Sequence, residues 1–371
     1  MSSTEPLIEI AGVWLPNKGA ELMAHTVVTQ LGSRLPGARF CSRAQGPDAH
    51  RRSMGIEPIT ARRTRQIAAR LFAAFHGGAK DNGQLPGVTH VIDISGYAYG
   101  DHWGVQKARN RAGAYLRAGL PLYMLPQAFG PFEDTKLRNE MLRIVTDARR
   151  ISARDAESLA HLEALGVGRA LPRFPDITFS LDVSARPVAM PEQPFSALVL
   201  NRKSIGAGID EAGLLSLYAE AAKILKTNRL PPIIVLHEPQ ADRKISEQLA
   251  EIAGLEIVCL DDARDIKALV GSAELVVTGR FHGLVNGLSA AVPSFAVSWS
   301  HKYQELLGEF GCPDHVLSDD EPAFLARIEE LAADPAARTA LSSRLAAVAD
   351  DNKQRLAELW DDLAADIAAT S

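Results

Sequence analysis

Residues 274–302 read ELVVTGRFHGLVNGLSAAVPSFAVSWSHK, and this stretch decides the fold. The apolar run Leu275 to Thr278 predicts a strand, Gly279 a turn, Gly283 to Ala290 a helix, and Ser294 to Ser298 a second strand after Pro293. Strand, helix and strand at this spacing make a βα unit of a mainly parallel sheet. In such a sheet ligands gather at the carboxyl ends of strands, where a helix N-terminus adds free amide donors and partial positive charge. Arg280 and His282 fall at that junction, so its natural guest is an anion.

The same alternation runs outward in both directions. Towards the N-terminus it predicts strands at Leu7 to Val13, Val88 to Ser95, Leu120 to Leu125 and Arg150 to Ala153. Helices are expected at Glu21 to Leu31, Gln106 to Ala118, Thr135 to Asp147 and Ala156 to Leu165. The segment Val183 to Phe195 carries Pro187, Pro191 and Pro194 with little periodicity and reads as a linker. Beyond it come strands at Ala197 to Leu200, Ile233 to Leu236 and Glu256 to Leu260, with helices at Glu211 to Lys226, Asp242 to Ala253 and Ile266 to Val270. The expected organisation is an α/β domain over 1–182, a linker over 183–195, a second α/β domain over 196–320 and C-terminal helices over 321–371. Two such domains facing one another would leave a cleft between them.

Composition narrows the function classes. The 371 residues are 46% hydrophobic and 23% charged, which suits folded domains with sizeable cores. Forty basic against 45 acidic residues give a net charge of −5, so no bulk case exists for nucleic-acid binding. The basic residues are 29 Arg and 11 Lys, an excess that leaves room for local anion sites. Three widely spaced cysteines, Cys41, Cys259 and Cys312, give neither a disulfide framework nor a CxxC metal site. The first residues carry no signal-peptide pattern and no long apolar span occurs, so a soluble, cytoplasmic protein is expected. The stretch RRTRQIAARLFAAF, Arg62 to Phe75, suits either peripheral membrane contact at the inner face or an ordinary core-facing helix, the favoured reading. Composition leaves the oligomeric state open.

Candidate site residues follow from the strand ends. Arg280 offers a permanent planar cation suited to carboxylate or phosphate, or else a structural partner for a core acid. His282 has the side chain best able to give and take a proton near neutrality. Lys302 follows the next strand and would complete a cationic pocket. Arg154 ends a short strand in ARDAES, with Asp155 as the helix N-cap. SGYAYGDHWG (Ser95 to Gly104) and PQAFGPF (Pro126 to Phe132) read as ligand-facing turns, contributing Gly96, Asp101 and Gly130. Asn17, Lys18 and Gly19 form a strand-to-helix turn that matches neither GxGxxG nor GxxxxGK[ST], so no nucleotide cofactor is expected. No metal motif occurs either.

Together these residues resemble the polysaccharide pyruvyl transferase family. The resemblance runs from Ile8 to Gly311 through NKGAE, SGYAYGD, QAFGPF, ARDAES, PDITFSL, LNRK, TGRFHGL and VPSFAVSWSHK, in that order. It implies two Rossmann-like domains of GT-B-like type, with phosphoenolpyruvate as co-substrate, no other cofactor, and a glycan or lipid-linked sugar as acceptor. It also implies that Arg280 and His282 contact the donor and that Arg154 is a further anion ligand, with Asn17, Gly19, Gly279 and Gly283 in the binding turns. Two departures, Ala20 ahead of Glu21 and Gly96-Tyr97 in place of a glycine pair, fall in the half expected to hold the acceptor. His282 is the expected general acid, Arg280 and Lys302 stabilise phosphate, and Asp101, Glu238 and Asp176 are candidate bases. The leading alternative is a GT-B-like glycosyltransferase using a nucleotide sugar; a non-catalytic binding module is the third reading.

Overall fold

The computed structural model describes residues 5–43, 46–59, 87–191, 194–206, 208–298 and 301–371. The Arg62 to Phe75 stretch lies outside the described residues. The chain divides into two compact units: residues 1–15, 23–177 and 357–371 form the first, and 16–22 with 178–356 the second.

The first unit holds a parallel sheet of β1 (Leu7–Ala11), β2 (Arg39–Ser42), β3 (Ile56–Pro58), β4 (His90–Asp93), β5 (Tyr97–Tyr99), β6 (Leu122–Phe129) and β7 (Arg150–Ala153). Its order is β3-β2-β1-β4-β6-β5, with β7 also on β6. Helices α1 (Lys18–Arg34), α2 (Asp48–Ser53), α3 (Gly104–Asn110), α4 (Ala112–Arg117), α5 (Thr135–Asp147) and α6 (Ala156–Glu163) accompany these strands. β1, β4 and β6 are buried on both faces, as parallel strands covered by helices must be. Val91, Leu122, Met124, Met141 and Ile144 anchor one core on this sheet.

The second unit carries β8 (Ser196–Val199), β9 (Pro232–Val235), β10 (Ile257–Val258), β11 (Leu275–Thr278) and β12 (Ser294–Ala296) in the order β10-β9-β8-β11-β12, again all parallel. Between and after them run α7 (Glu211–Thr227), α8 (Pro239–Ala253), α9 (Ala263–Gly271), α10 (Phe281–Ser289), α11 (His301–Glu309), α12 (Glu321–Ala333) and α13 (Pro335–Thr370). Each sheet builds outward on one side of its first strand and then resumes on the other. The topological switch point therefore lies between β1 and β4 in one unit and between β8 and β11 in the other.

The structure departs from the expected elements where strands are short. β2 and β3 have four and three residues and β3 ends in Pro58, so neither carries a legible alternation. The expected loop SGYAYGDHWG contains β5, and the expected turn PQAFGPF is strand as far as Phe129. The helix expected over Gln106 to Ala118 breaks at Arg111 into α3 and α4. The division also departs from the expected boundaries. Residues 16–22 group with the second unit, that unit resumes at Thr178 rather than after 182, and α13 changes unit after Leu356. Hydrophobic contact explains the first two: Leu22 packs with Leu181, Val183 and Ala263.

Candidate functional site

The site is built at the switch point of the second sheet. β11 ends in Thr278, whose hydroxyl accepts the Arg280 N–H at 3.0 Å, fixing the turn before α10. Gly279 approaches β8 closely enough that a Cβ would sit 2.9 Å from the Asn201 Cβ. Its carbonyl accepts Asn201 Nδ2 at 2.8 Å and the Tyr303 hydroxyl at 2.9 Å. Gly283, in the first turn of α10, lets the helix lie closely on the Thr278 side chain.

Arg280 is not the unspent cation that its position promised. Its Nε and Nη2 donate to the two Asp242 oxygens at 2.8 and 2.6 Å, and its Nη1 donates to Glu238. Asp242 Oδ1 also accepts the Arg202 N–H at 3.0 Å. All three side chains are buried, and one cation against two carboxylates leaves the triad with net negative charge. A buried pair with satisfied geometry fixes structure, and removing one partner strands charge in a low-dielectric setting. Arg280 thus ties the β11 turn to α8.

His282 occupies the first turn of α10, and the NKGAE turn packs on it. A Cβ on Gly19 would overlap the imidazole around Nδ1, so glycine is what the ring permits. Asn17 Oδ1 caps α1 by accepting Gly19 N at 2.9 Å and Ala20 N at 3.3 Å. Lys18 pairs with Glu21 at 2.9 Å and donates to the Asp261 carbonyl. Glu21, fully buried, accepts the Ala263 N–H at 2.9 Å. The turn expected in the acceptor half is therefore part of the second unit. Lys302 stands 5.4 Å from the ring centres of both Phe281 and Tyr303, which brings it to the N-terminal end of α10.

His237 escaped the sequence reading. It follows β9 directly ahead of Glu238 and is buried. Burial first, with the Arg280, His282 and Lys18 side chains close by, holds its pKa well below the usual histidine range, so the ring is neutral. The signal available was LHEP, polar residues at the carboxyl end of an apolar run with Pro opening a helix.

The remaining expected residues lie in the first unit. Arg154 is buried and pairs with buried Asp176 at 3.0 Å. Asp101 accepts Glu133 N at 2.8 Å and Asp134 N at 3.1 Å. Gly130, at φ +88°, donates to the Tyr99 carbonyl at 2.8 Å and packs against the His161 ring. Gly96, at φ +72°, accepts Ala128 N at 2.8 Å. Gly96 and Gly130 stitch β5 to β6, and Asp101 ties the turn after β5 to the start of α5. The three candidate bases, Asp101, Glu238 and Asp176, are all engaged by protein donors.

A family profile described as polysaccharide pyruvyl transferase matches residues 17–301. No curated protein matches the chain. Among solved structures, a putative UDP-N-acetylglucosamine 2-epimerase from Listeria monocytogenes has a TM-score of 0.60 at 13% identity, covering 92% of this chain and 90% of its own. The UDP-GlcNAc 2-epimerase from Neisseria meningitidis bound to UDP-GlcNAc gives 0.56 at 12% identity, covering 91% and 94%. A glycosyltransferase from Rickettsia africae gives 0.56 at 10% identity, covering 99% and 100%. These likenesses establish the α/β fold of GT-B type with its helical C-terminal segment. With the family match spanning NKGAE through the start of α11, the chain is a transferase and belongs to the polysaccharide pyruvyl transferase family.

Proposed function

We propose that the protein transfers the enolpyruvyl group of phosphoenolpyruvate to two hydroxyls of a glycan or lipid-linked sugar as a pyruvate ketal, releasing phosphate. The observation that carries this reading is the seating of His282 on Gly19 at the N-terminus of α10. A proton-transferring ring is thereby held at a helix N-terminus, whose partial positive charge suits a phosphate or carboxylate. His282 gives a proton to the methylene carbon, and the first sugar hydroxyl attacks the neighbouring carbon and returns its proton to the ring. The second hydroxyl then attacks the same carbon, the C–O bond to phosphate breaks, and its proton leaves with phosphate. Lys302 and the α10 amides receive the anion, while Arg280 acts as a positioning residue through Asp242 and Glu238. Asp101, Asp176 and Glu238 are engaged by protein donors, which leaves the departing phosphate as the acceptor of the second hydroxyl proton.

Thermal-shift titration tests the donor. Stabilisation by phosphoenolpyruvate and none by UDP or GDP is the expected result, and the reverse pattern overturns the reading in favour of a nucleotide-sugar transferase.

A further inference from the structure

The first unit has a switch point of its own. Between the ends of β1 and β4 lies a cavity of about 370 Å³, lined among others by Trp14, Ser42, Arg43, Asp93, Asn110 and Arg111. The carboxyl edge at a switch point is where open α/β sheets bind ligands. Its charges are unequally committed. Glu9 takes Arg43 at 3.0 Å and the Tyr115 hydroxyl at 2.7 Å. Asp93 accepts Ser95 N at 2.8 Å and the Tyr99 hydroxyl. Arg111, half-buried, gives one side-chain hydrogen bond, to Ser95 Oγ at 3.0 Å, and has no carboxylate in ion-pair range among the described residues. Arg154 and Arg280, which the sequence singled out, are both neutralised by acids.

We propose that this cavity binds the acceptor sugar through an anionic substituent, a phosphate or a carboxylate, held by Arg111, with the sugar ring against Trp14. The inference rests on the pyruvyl transferase reading for the word acceptor; the cavity's chemistry stands without it. A guanidinium presents a planar fork of donors matched to oxyanions, and four of the five N–H donors of Arg111 have no protein partner among the described residues. Trp14 is 41% exposed at the cavity rim, the presentation a sugar's C–H face stacks on. One helical turn before Arg111, the ammonium of Lys107 lies 3.1 Å from the Trp103 ring centre. Burial first, and the Arg111 charge second, push its pKa down to about 8.

Tryptophan emission of the full chain, saturated with phosphoenolpyruvate, reads the binding of glucose, galactose, mannose and N-acetylglucosamine 1-phosphates, of glucuronate, and of the matching methyl glycosides. At least one anionic sugar is expected to bind tenfold or more tightly than its neutral glycoside, with the emission change lost in Trp14→Phe. Phosphates alone gaining affinity identify a phosphorylated acceptor, and glucuronate alone a uronate. Arg111→Gln abolishes the preference and Arg111→Lys keeps part of it. Asn110→Asp, an exposed change that puts an acid at the cavity, lowers it as well. The proposal is overturned by a panel without anionic preference, by Arg111→Gln retaining it, or by phosphoenolpyruvate competing with the sugar phosphates. Phosphate release from phosphoenolpyruvate separates the two readings. Its absence alongside an intact anionic preference removes the transferase mechanism and leaves the cavity; release with Arg111→Gln unaffected in either assay removes the cavity.

Discussion

His282 and Gly19 are the two residues on which the proposed chemistry turns. His282→Ala is expected to lower kcat by about 10²–10⁴-fold with a much smaller change in KM, as loss of a general acid does. Steady-state kinetics of phosphate release check this. Gly19→Ala adds one methyl group where the imidazole already sits, so the ring must move. Such overpacking costs about 1–3 kcal/mol and misplaces the proposed proton donor. Turnover at saturating donor should fall at least tenfold while circular dichroism stays unchanged. Buried neutral histidines also set the acid limit. His315 stacks on Phe295 with ring centres 4.1 Å apart, and burial lowers its pKa to about 4. An unfolded histidine binds its proton near pH 6.5, so stability is unaffected above that value and falls as pH drops from about 6.5 to 4. The total is on the order of 3 kcal/mol from this residue. Urea midpoints across that window should decline, and His315→Phe should flatten the slope.

At the scale of elements, the β11 turn and α8 are joined by the Arg280, Asp242 and Glu238 triad. Arg280→Met would leave two buried carboxylates without their cation, a loss of about 3–5 kcal/mol. Denaturant titration is expected to show that loss, and the double change with Asp242→Asn should recover part of it. The turn itself was legible in sequence because TGRFHGL joins an apolar run to a helical one through glycine. The commitment of the Arg280 charge was not legible, since its acids lie 38 and 42 residues away on another element. The same holds for Arg154, whose partner Asp176 is 22 residues on. The short strands β2, β3 and β5 were missed because three or four residues hold too little periodicity to separate strand from loop.

At the scale of the molecule, α13 gives residues to both units. Its last part belongs to the first unit, where Trp360, Leu363 and Ile367 are fully buried and Asp366 pairs with Arg149 at 2.6 Å. His90 adds a 3.0 Å hydrogen bond to Thr370. Trp360→Ala should cost about 3–5 kcal/mol by emptying a large core position. If the units unfold separately, calorimetry should show the first unit's transition moving down and the second's unchanged. Among the described residues no helix is long and apolar enough to cross a membrane.

The sequence by itself determined the alternation of strands and helices, the glycine turns and the family, because these depend on neighbouring residues and on backbone conformations that side chains permit locally. Tertiary structure alone decided which charges are available. It gave Arg280 and Arg154 to buried acids, left Arg111 at the β1–β4 edge with one side-chain hydrogen bond among the described residues, and placed the NKGAE turn on His282. Ion pairing and desolvation act through space between residues tens to hundreds of positions apart, and nothing local in a chain records them.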